Sequence, residues 1–151
     1  SHVMWTADCY YRSACKAKEI GDNILAKKLF DKTMTTINVV LTQCLASTEV
    51  PNALYLAGEC YYQLDDYQNS ADTFQKVADG YPKFQMAGDA LYKVAESYQI
   101  LKKSGMVSET QADSKTISAY EQLIQKYPRS SLAVAARHWL EKTVLNKGDN
   151  R

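Results

Sequence analysis

Between Pro51 and Phe84 the chain carries a spaced pattern of large and small residues that fits a helical hairpin of 34 residues. Large side chains recur where two antiparallel helices would share a seam, and small ones recur where the helices would approach closely. A late proline opens the next unit, because proline is tolerated in the first turn of a helix and not in its interior. The residues at unit positions 4, 7, 8, 11, 20, 24, 27 and 32 are Leu54, Ala57, Gly58, Tyr61, Ser70, Phe74, Val77 and Pro82.

The same frame extends in both directions with decreasing fidelity. Downstream it gives Leu91, Val94, Ala95, Tyr98, Tyr120, Leu123 and Pro128, and upstream it gives Tyr10, Ala14, Ala17, Ala26 and Phe30. The downstream hairpin carries about nine extra residues, placed in the segment 102–114. Within this insertion Gly105 can end one helix in a left-handed cap, and Ser108 with Gln111 gives a capping-box signal for the next.

These patterns predict a single all-α domain of about seven helices. A chain of 151 residues with only three prolines and six glycines also favours helices, since strand-rich folds need more turns. The predicted helices span about 5–20, 22–46, 51–64, 67–80, 85–103, 109–127 and 131–146. We expect residues 1–4 to be a tag scar, repeats at 7–46, 51–84 and 85–130, a capping helix at 131–146, and a polar tail at 147–151.

The repeat pattern resembles the tetratricopeptide repeat, which implies a right-handed superhelix of three helical hairpins plus a C-terminal capping helix. Two short sequence motifs indicate a subtype of this family. They are Tyr81-Pro82-Lys83 and Tyr127-Pro128-Arg129-Ser130, and each ends a predicted helix and precedes an alanine-rich one. They are similar to bacterial envelope tetratricopeptide proteins, of the Tol-associated periplasmic coordinator type and of the β-barrel assembly lipoprotein type. The resemblance implies a non-enzymatic adaptor in the periplasm or cell envelope, whose concave groove holds another protein.

Composition and charge exclude several other classes. With 18 basic and 17 acidic residues the net charge is +1, so we expect no nucleic-acid partner. The longest apolar runs are far shorter than the roughly 18–20 residues that cross a bilayer, so no membrane span is predicted. The opening Ser1-His2-Val3-Met4 looks like a cleaved tag, so a signal sequence would be missing from this chain.

In such an array the first helix of each hairpin lines the concave wall, and its outward residues recur at unit positions 2, 5, 9 and 12. Position 5 reads Tyr, Tyr, Tyr and, in the capping helix, His. The predicted partner-binding groove therefore consists of Asp8, Tyr11, Lys18, Asn52, Tyr55, Glu59, Tyr62, Asp89, Tyr92, Glu96, Gln99, His138 and Lys142, with Cys15 beside them.

We expect this groove to grip a peptide or protein with basic or amide side chains, because tyrosine offers a large contact area and a hydroxyl group. The alternative is that the tyrosines only pack between neighbouring first helices. A carboxylate-clamp partner is disfavoured, since positions 5 and 9 hold Tyr with Cys or Glu instead of Lys and Asn. A second function class is homo-oligomeric self-assembly, through Trp5 in the first helix or Met106 and Val107 in the insertion.

No catalytic constellation, cofactor site or metal site is expected. The four cysteines are Cys9, Cys15, Cys44 and Cys60; no two have CxxC spacing, and Cys9, Cys44 and Cys60 fit small core positions. If the protein is exported, one pair could be oxidised. The pair Asp65-Asp66 fits a helix N-cap better than paired catalytic carboxylates. Lys27-Lys28 and Lys102-Lys103 are predicted to be solvated surface.

Overall fold

The computed structural model describes residues 1–43 and 48–149, without the side chains of Val144 and residues 147–149. The described part of the chain contains seven α-helices joined by turns, and no strand. They are α1 (His2–Glu19), α2 (Asn23–Gln43), α3 (Val50–Gln63), α4 (Tyr67–Gly80), α5 (Ala87–Lys103), α6 (Glu109–Lys126) and α7 (Ser131–Asp149). The all-α prediction and the number of helices are therefore confirmed.

The first helix of each hairpin ends in the same way. At the ends of α1, α3 and α5 one residue takes a left-handed conformation: Gly21 at φ 84°, Asp65 at φ 61° and Gly105 at φ 75°. The residue that follows donates its backbone N–H to a carbonyl five positions earlier in the helix; Met106 N–H, for example, donates to Leu101 C=O at 3.0 Å. The left-handed cap predicted at Gly105 is confirmed, and Asp65 adopts the same geometry without being glycine.

The second helices of the two later hairpins also share one ending. Tyr81 closes α4 at φ −135° and ψ 59°, and Tyr127 closes α6 at φ −130° and ψ 56°. Each tyrosine donates its backbone N–H to the residue four positions earlier, Val77 or Leu123, at 2.9 Å. The repetition of both endings shows that the array is built from one structural unit.

Side-chain caps start several helices as the sequence indicates. Asp66 caps α4 by accepting from Asn69 N–H at 3.3 Å, and Ser108 caps α6 by accepting from Gln111 N–H at 3.1 Å. Ser1 accepts from Met4 N–H at 3.4 Å, so α1 begins at His2 and includes residues predicted to lie outside the fold. The last helix continues to Asp149, past the predicted end at residue 146. The end predicted for the second helix lies outside the described residues.

Packing runs from each helix to its neighbours along the chain, with smaller α1–α3 and α5–α7 contacts. The buried core divides into two clusters. One joins α1, α2 and α3 around Phe30, Ile37 and Cys60, and the other joins α4 to α7 around Phe74, Leu91 and Leu123. On α7, Leu132, Ala136, Trp139 and Leu140 all pack against the second cluster, as a capping helix requires.

The inserted segment after α5 is fixed by a polar network. Lys102 donates to Asp113 Oδ1 at 2.9 Å, although the Asp113 side chain is only 10% exposed. Gln99 donates to the same oxygen at 3.2 Å and to Thr116 Oγ1 at 2.8 Å. The prediction that Lys102 is solvated surface is therefore wrong: the insertion brings Asp113 of α6 over the end of α5, and Lys102 pairs with it.

Candidate functional site

Four tyrosines lie half-buried on three consecutive first helices, and we call them the tyrosine face: Tyr11 of α1, Tyr55 and Tyr62 of α3, and Tyr92 of α5. They are the tyrosines that the repeat frame assigns to the groove. Each keeps part of its surface accessible while the rest is covered. The face is thus available for contact and is also part of the fold.

Each ring of the tyrosine face packs on an aromatic ring from the second helix of its own hairpin. Tyr11 lies 6.0 Å from Phe30, Tyr55 lies 5.1 Å from Phe74, and Tyr92 lies 5.7 Å from Tyr120. Tyr62 meets Tyr67 edge-on at 5.1 Å and 87°. The rings are therefore anchored to second helices, whereas the packing alternative placed them between first helices. Such pairs orient the rings beyond what area burial alone would do.

A central recess at the tyrosine face is formed by four helices, α1, α3, α4 and α5. Its volume is about 40 Å³, and it is lined by Tyr11, Glu59, Tyr62, Gln63, Phe74 and Lys93. The three predicted site residues among these come from two different repeats. The spacing of the sequence pattern thus brings residues that are far apart in the chain to one place.

Glu59 is the half-buried carboxylate of the central recess. Burial raises its pKa, the positive charge of Lys93 opposes that shift, and Asp8 adds to it. The charge of Glu59 also acts on its neighbours: burial raises the pKa of Tyr11 and of Tyr55, and the negative charge of Glu59 raises both further. Asp89 and Glu96 have the same effect on Tyr55. The predicted acidic residues therefore surround the tyrosine face.

Lys93 belongs to the site, and the sequence reasoning missed it. Its Nζ lies 4.6 Å from the centroid of the Tyr62 ring and 3.5 Å from Glu96 Oε2. The repeat frame predicts outward side chains at unit positions 2, 5, 9 and 12, whereas Lys93 is at position 6. A Lys three residues before a Glu on one helix, next to a groove tyrosine, was the available signal.

Other predicted site residues are held elsewhere. Lys18 donates to the Gln63 backbone carbonyl at 2.5 Å and to its side-chain oxygen at 3.3 Å, which ties α1 to α3. Gln99 is bound into the α6 network described above, so its amide is directed at Asp113 and Thr116. Asp8 pairs with Arg12 at 2.8 Å. These three side chains already have partners within the fold.

Asn52, His138 and Lys142 are exposed. Within residues 1–43 and 48–149, no hydrogen bond, ion pair or ring contact joins them to the other predicted site residues. The structure therefore brings together Tyr11, Tyr55, Glu59, Tyr62, Asp89, Tyr92 and Glu96, and leaves the remaining predicted positions at the margins.

A larger surface concavity, of about 740 Å³, lies between α1 and α2 and includes no residue of the tyrosine face. It is an open hollow lined by Tyr10, Lys27, Lys28 and Lys32 among others, and Lys27 pairs with Asp31 at 3.0 Å. Exposed ion pairs of this kind contribute little energy and are screened by salt.

The described cysteines are free thiols: Cys60 is buried, and Cys9 and Cys15 are half-buried. The core prediction is confirmed for Cys60, Cys9 is only partly covered, and Cys44 lies outside the described residues. In the part of the chain that the structure describes, no group of three His, Cys, Asp or Glu side chains could hold a metal ion. None of the described helices is long and apolar enough to span a bilayer.

The tetratricopeptide repeat family model matches residues 52–83 and 89–130, which are α3–α4 and α5–α6 with their connections. The chain therefore contains tetratricopeptide repeats, with the insertion inside the second matched segment. No curated protein matches the chain. Repeats of this family generally mediate protein–protein interaction and are typically non-enzymatic.

Proposed function

We propose that this tetratricopeptide repeat protein is a non-enzymatic adaptor that binds a peptide or partner protein on its tyrosine face. One observation carries the proposal: four half-exposed tyrosines lie on three consecutive first helices, and two of them, Tyr11 and Tyr62, line a recess that also holds the charged side chains of Glu59 and Lys93. A repeat array offers an extended surface that suits a linear segment.

The chemistry of the face suits a polypeptide ligand. Tyrosine presents a broad ring with two side-chain torsions, so little conformational entropy is lost when it is ordered. Here the loss is smaller still, because the rings already pack on Phe30, Phe74, Tyr67 and Tyr120. Their hydroxyl groups can bond to the backbone of an extended chain.

A bacterial cell-envelope location is the second part of the proposal. It is supported by the strings Tyr81-Pro82-Lys83 and Tyr127-Pro128-Arg129, which resemble those of envelope tetratricopeptide proteins. Tyr81 and Tyr127 end their helices with nearly equal backbone geometry, so the two strings occupy equivalent places in the fold. Fractionation of cells producing the natural full-length protein would test the location, and recovery only with cytosolic markers would contradict it.

The groove proposal is tested by selecting peptides from a random phage-displayed library on the wild-type protein. The affinities of the selected peptides are then measured for wild type, Tyr55→Ala/Tyr92→Ala and the control Tyr81→Ala, a half-buried tyrosine outside the face. We expect at least tenfold weaker binding by the double variant only. Because Tyr55 packs on Phe74, melting curves must show all three proteins folded at the assay temperature.

Two results would overturn the proposal: no enriched peptide, or selected peptides that bind the double variant as tightly as the wild type. Lost stability with unchanged affinity would mean that the tyrosines act only in packing.

Self-assembly is a second candidate function, favoured by exposed apolar side chains on the first hairpin. Trp5 is 65% exposed, Ile20 76% and Ile24 88%. Met106 in the insertion is 75% exposed, whereas Val107 packs against the core. Light scattering over a concentration series tests this function, and a constant monomer mass would rule it out.

A further inference from the structure

Lys93 places a positive charge inside the central recess in a defined geometry. Its ammonium group lies 4.6 Å from the centroid of the Tyr62 ring, within the range of a cation–π contact. On another side, Glu96 Oε2 is 3.5 Å away. Glu59 lines the same recess from α3. The lining of the recess thus holds an aromatic ring and the Glu59 carboxylate, and Glu96 contacts the ammonium group of Lys93 from the same helix.

The hold on Lys93 is weak. Its contact with Glu96 is a long i,i+3 pair between side chains that are each about one-third exposed, 32% and 33%. Pairs of this type contribute little to stability, and the cation–π contact of a partly exposed lysine adds only a modest amount. The lysine side chain can therefore leave the recess at small cost.

Glu59 is incompletely satisfied by the fold. Within the described chain its carboxylate makes no hydrogen bond or ion pair at contact distance, although it is half-buried. A half-buried carboxylate without a direct protein partner has lost part of its hydration, and a better-placed cation would compensate for that loss. Asp8 adds negative charge at Glu59, and Asp89 adds it at the neighbouring Tyr55.

We infer that the central recess is a recognition subsite for a lysine or arginine side chain of the partner, and that Lys93 is its resident occupant, displaced on binding. This inference rests on the proposed function, because it names the chemistry of the segment that the tyrosine face takes. A partner guanidinium or ammonium group would gain the Tyr62 ring and both carboxylates.

The size of the recess supports displacement over addition. A volume of about 40 Å³ holds one or two water molecules, not a guanidinium group beside Lys93. Movement of Lys93 would open the space that its own side chain fills. An anionic partner group fits poorly, because it would meet Glu59 and Glu96 at the same place.

The subsite is tested with two small probes, N-acetyl-arginine amide and its neutral isostere N-acetyl-citrulline amide, titrated into labelled protein by NMR. The variants are Lys93→Met, Glu59→Gln and the control Lys103→Met, which removes an exposed lysine at the end of α5. We expect Lys93→Met to bind the arginine probe at least fivefold more tightly than wild type. Glu59→Gln should bind it at least fivefold more weakly, Lys103→Met should match wild type, and the citrulline probe should not bind.

Other outcomes overturn the inference. Weaker or unchanged arginine binding in a folded Lys93→Met protein would mean that Lys93 does not block the site. Equal binding of the citrulline probe would remove the role of charge. N-acetyl-aspartate amide that bound wild type and not Lys93→Met would assign Lys93 to an anionic partner.

The two proposals can be refuted independently of each other. Selected peptides that bind through Tyr55 and Tyr92 without any basic residue would keep the adaptor function and remove the cationic subsite. Arginine binding at Glu59 without any selected peptide would keep the subsite and remove the peptide-binding proposal.

Discussion

Gly58 of α3 lies against the ring of Phe74 in α4, so closely that a Cβ atom at residue 58 would be 2.9 Å from Cε1 and Cζ of that ring. Phe74 is completely buried and also packs on Tyr55. A Cβ atom at residue 58 would therefore have to displace a packed ring. The contact explains why glycine suits residue 58.

Gly58→Ala should destabilise the protein by up to about 2 kcal/mol. Alanine favours a helix over glycine by ~1 kcal/mol, but overpacking a filled core costs ~1–3 kcal/mol and outweighs that gain. The control is Gly80→Ala at the end of α4, where an added Cβ would meet nothing within 4 Å. Urea unfolding of both variants checks the prediction, and a stabilised Gly58→Ala protein would contradict it.

Ser97→Ala should stabilise the protein by ~1 kcal/mol. Ser97 is completely buried, and among the described residues its hydroxyl group has no hydrogen-bond partner, so alanine removes an unsatisfied polar group. Ser70 is the matched control: it is equally buried but donates to the Gly58 carbonyl at 2.9 Å. Ser70→Ala should lose ~1 kcal/mol, and equal shifts of melting temperature in both variants would refute the prediction.

Asp113→Ala should cost ~2–3 kcal/mol, because hydrogen bonds to a buried charge are worth more than neutral ones. The substitution removes the acceptor of Lys102 and Gln99 and frees the inserted segment. The control is Lys103→Ala, which removes the exposed lysine next to Lys102 and should stay within ~0.5 kcal/mol of wild type. Chemical denaturation gives both values; a loss as small as that of the control would show that the network contributes little.

Cys60 should be the slowest described thiol to alkylate. Burial raises its pKa to about 12, and the charge of Glu59 adds to this, so at pH 8 roughly one Cys60 in 10⁴ is a thiolate. Cys9 is half-buried and should react first, while burial also raises the pKa of Cys15. Timed N-ethylmaleimide labelling with peptide mapping measures the order. In urea the three rates should converge; native Cys60 reacting as fast as Cys9 would contradict the prediction.

Glu59→Gln should raise the melting temperature at neutral pH. The folded-state pKa of Glu59 is raised by burial, so the ionised carboxylate destabilises the native protein whenever the pH is above that value. The difference from wild type should shrink as the pH falls through the raised folded value, and should vanish below the ordinary glutamate pKa. Melting curves of both proteins across this range test the sign. A difference that grows on acidification would exclude this origin.

The backbone of the fold could be predicted because its signals are local. Gly105 ends a helix, and Ser108 and Asp66 start helices, through hydrogen bonds that span three to five residues. Residue types at a fixed spacing are enough to predict such bonds. The largest differences in helix bounds lie at residues 1–4, where Ser1 caps α1 and Val3 and Met4 pack against the core cluster of α1, α2 and α3, and at residues 147–149, where α7 continues past its predicted end.

Side-chain partners across helices were harder to predict. The repeat frame located Tyr55 but could not show that its ring rests on Phe74, because that depends on the approach of α3 to α4. It also missed Lys93, whose side chain bends back over Tyr62, and misjudged Lys102, whose partner Asp113 lies beyond the insertion. The repeat pattern predicts only the direction in which each side chain leaves its helix. The charged group of a long side chain lies several bonds further out, so its partner depends on the neighbouring helices.

The contacts of this chain run from each helix to the next, and the core divides between α3 and α4. In such an array each repeat contacts only its neighbours, so the position of one helix relative to a distant one is the sum of the interfaces between them. The rings of the tyrosine face stand on different helices of this array. The spacing between Tyr11, Tyr55 and Tyr92, and with it the width of the face, is therefore set by all the interfaces that lie between α1 and α5.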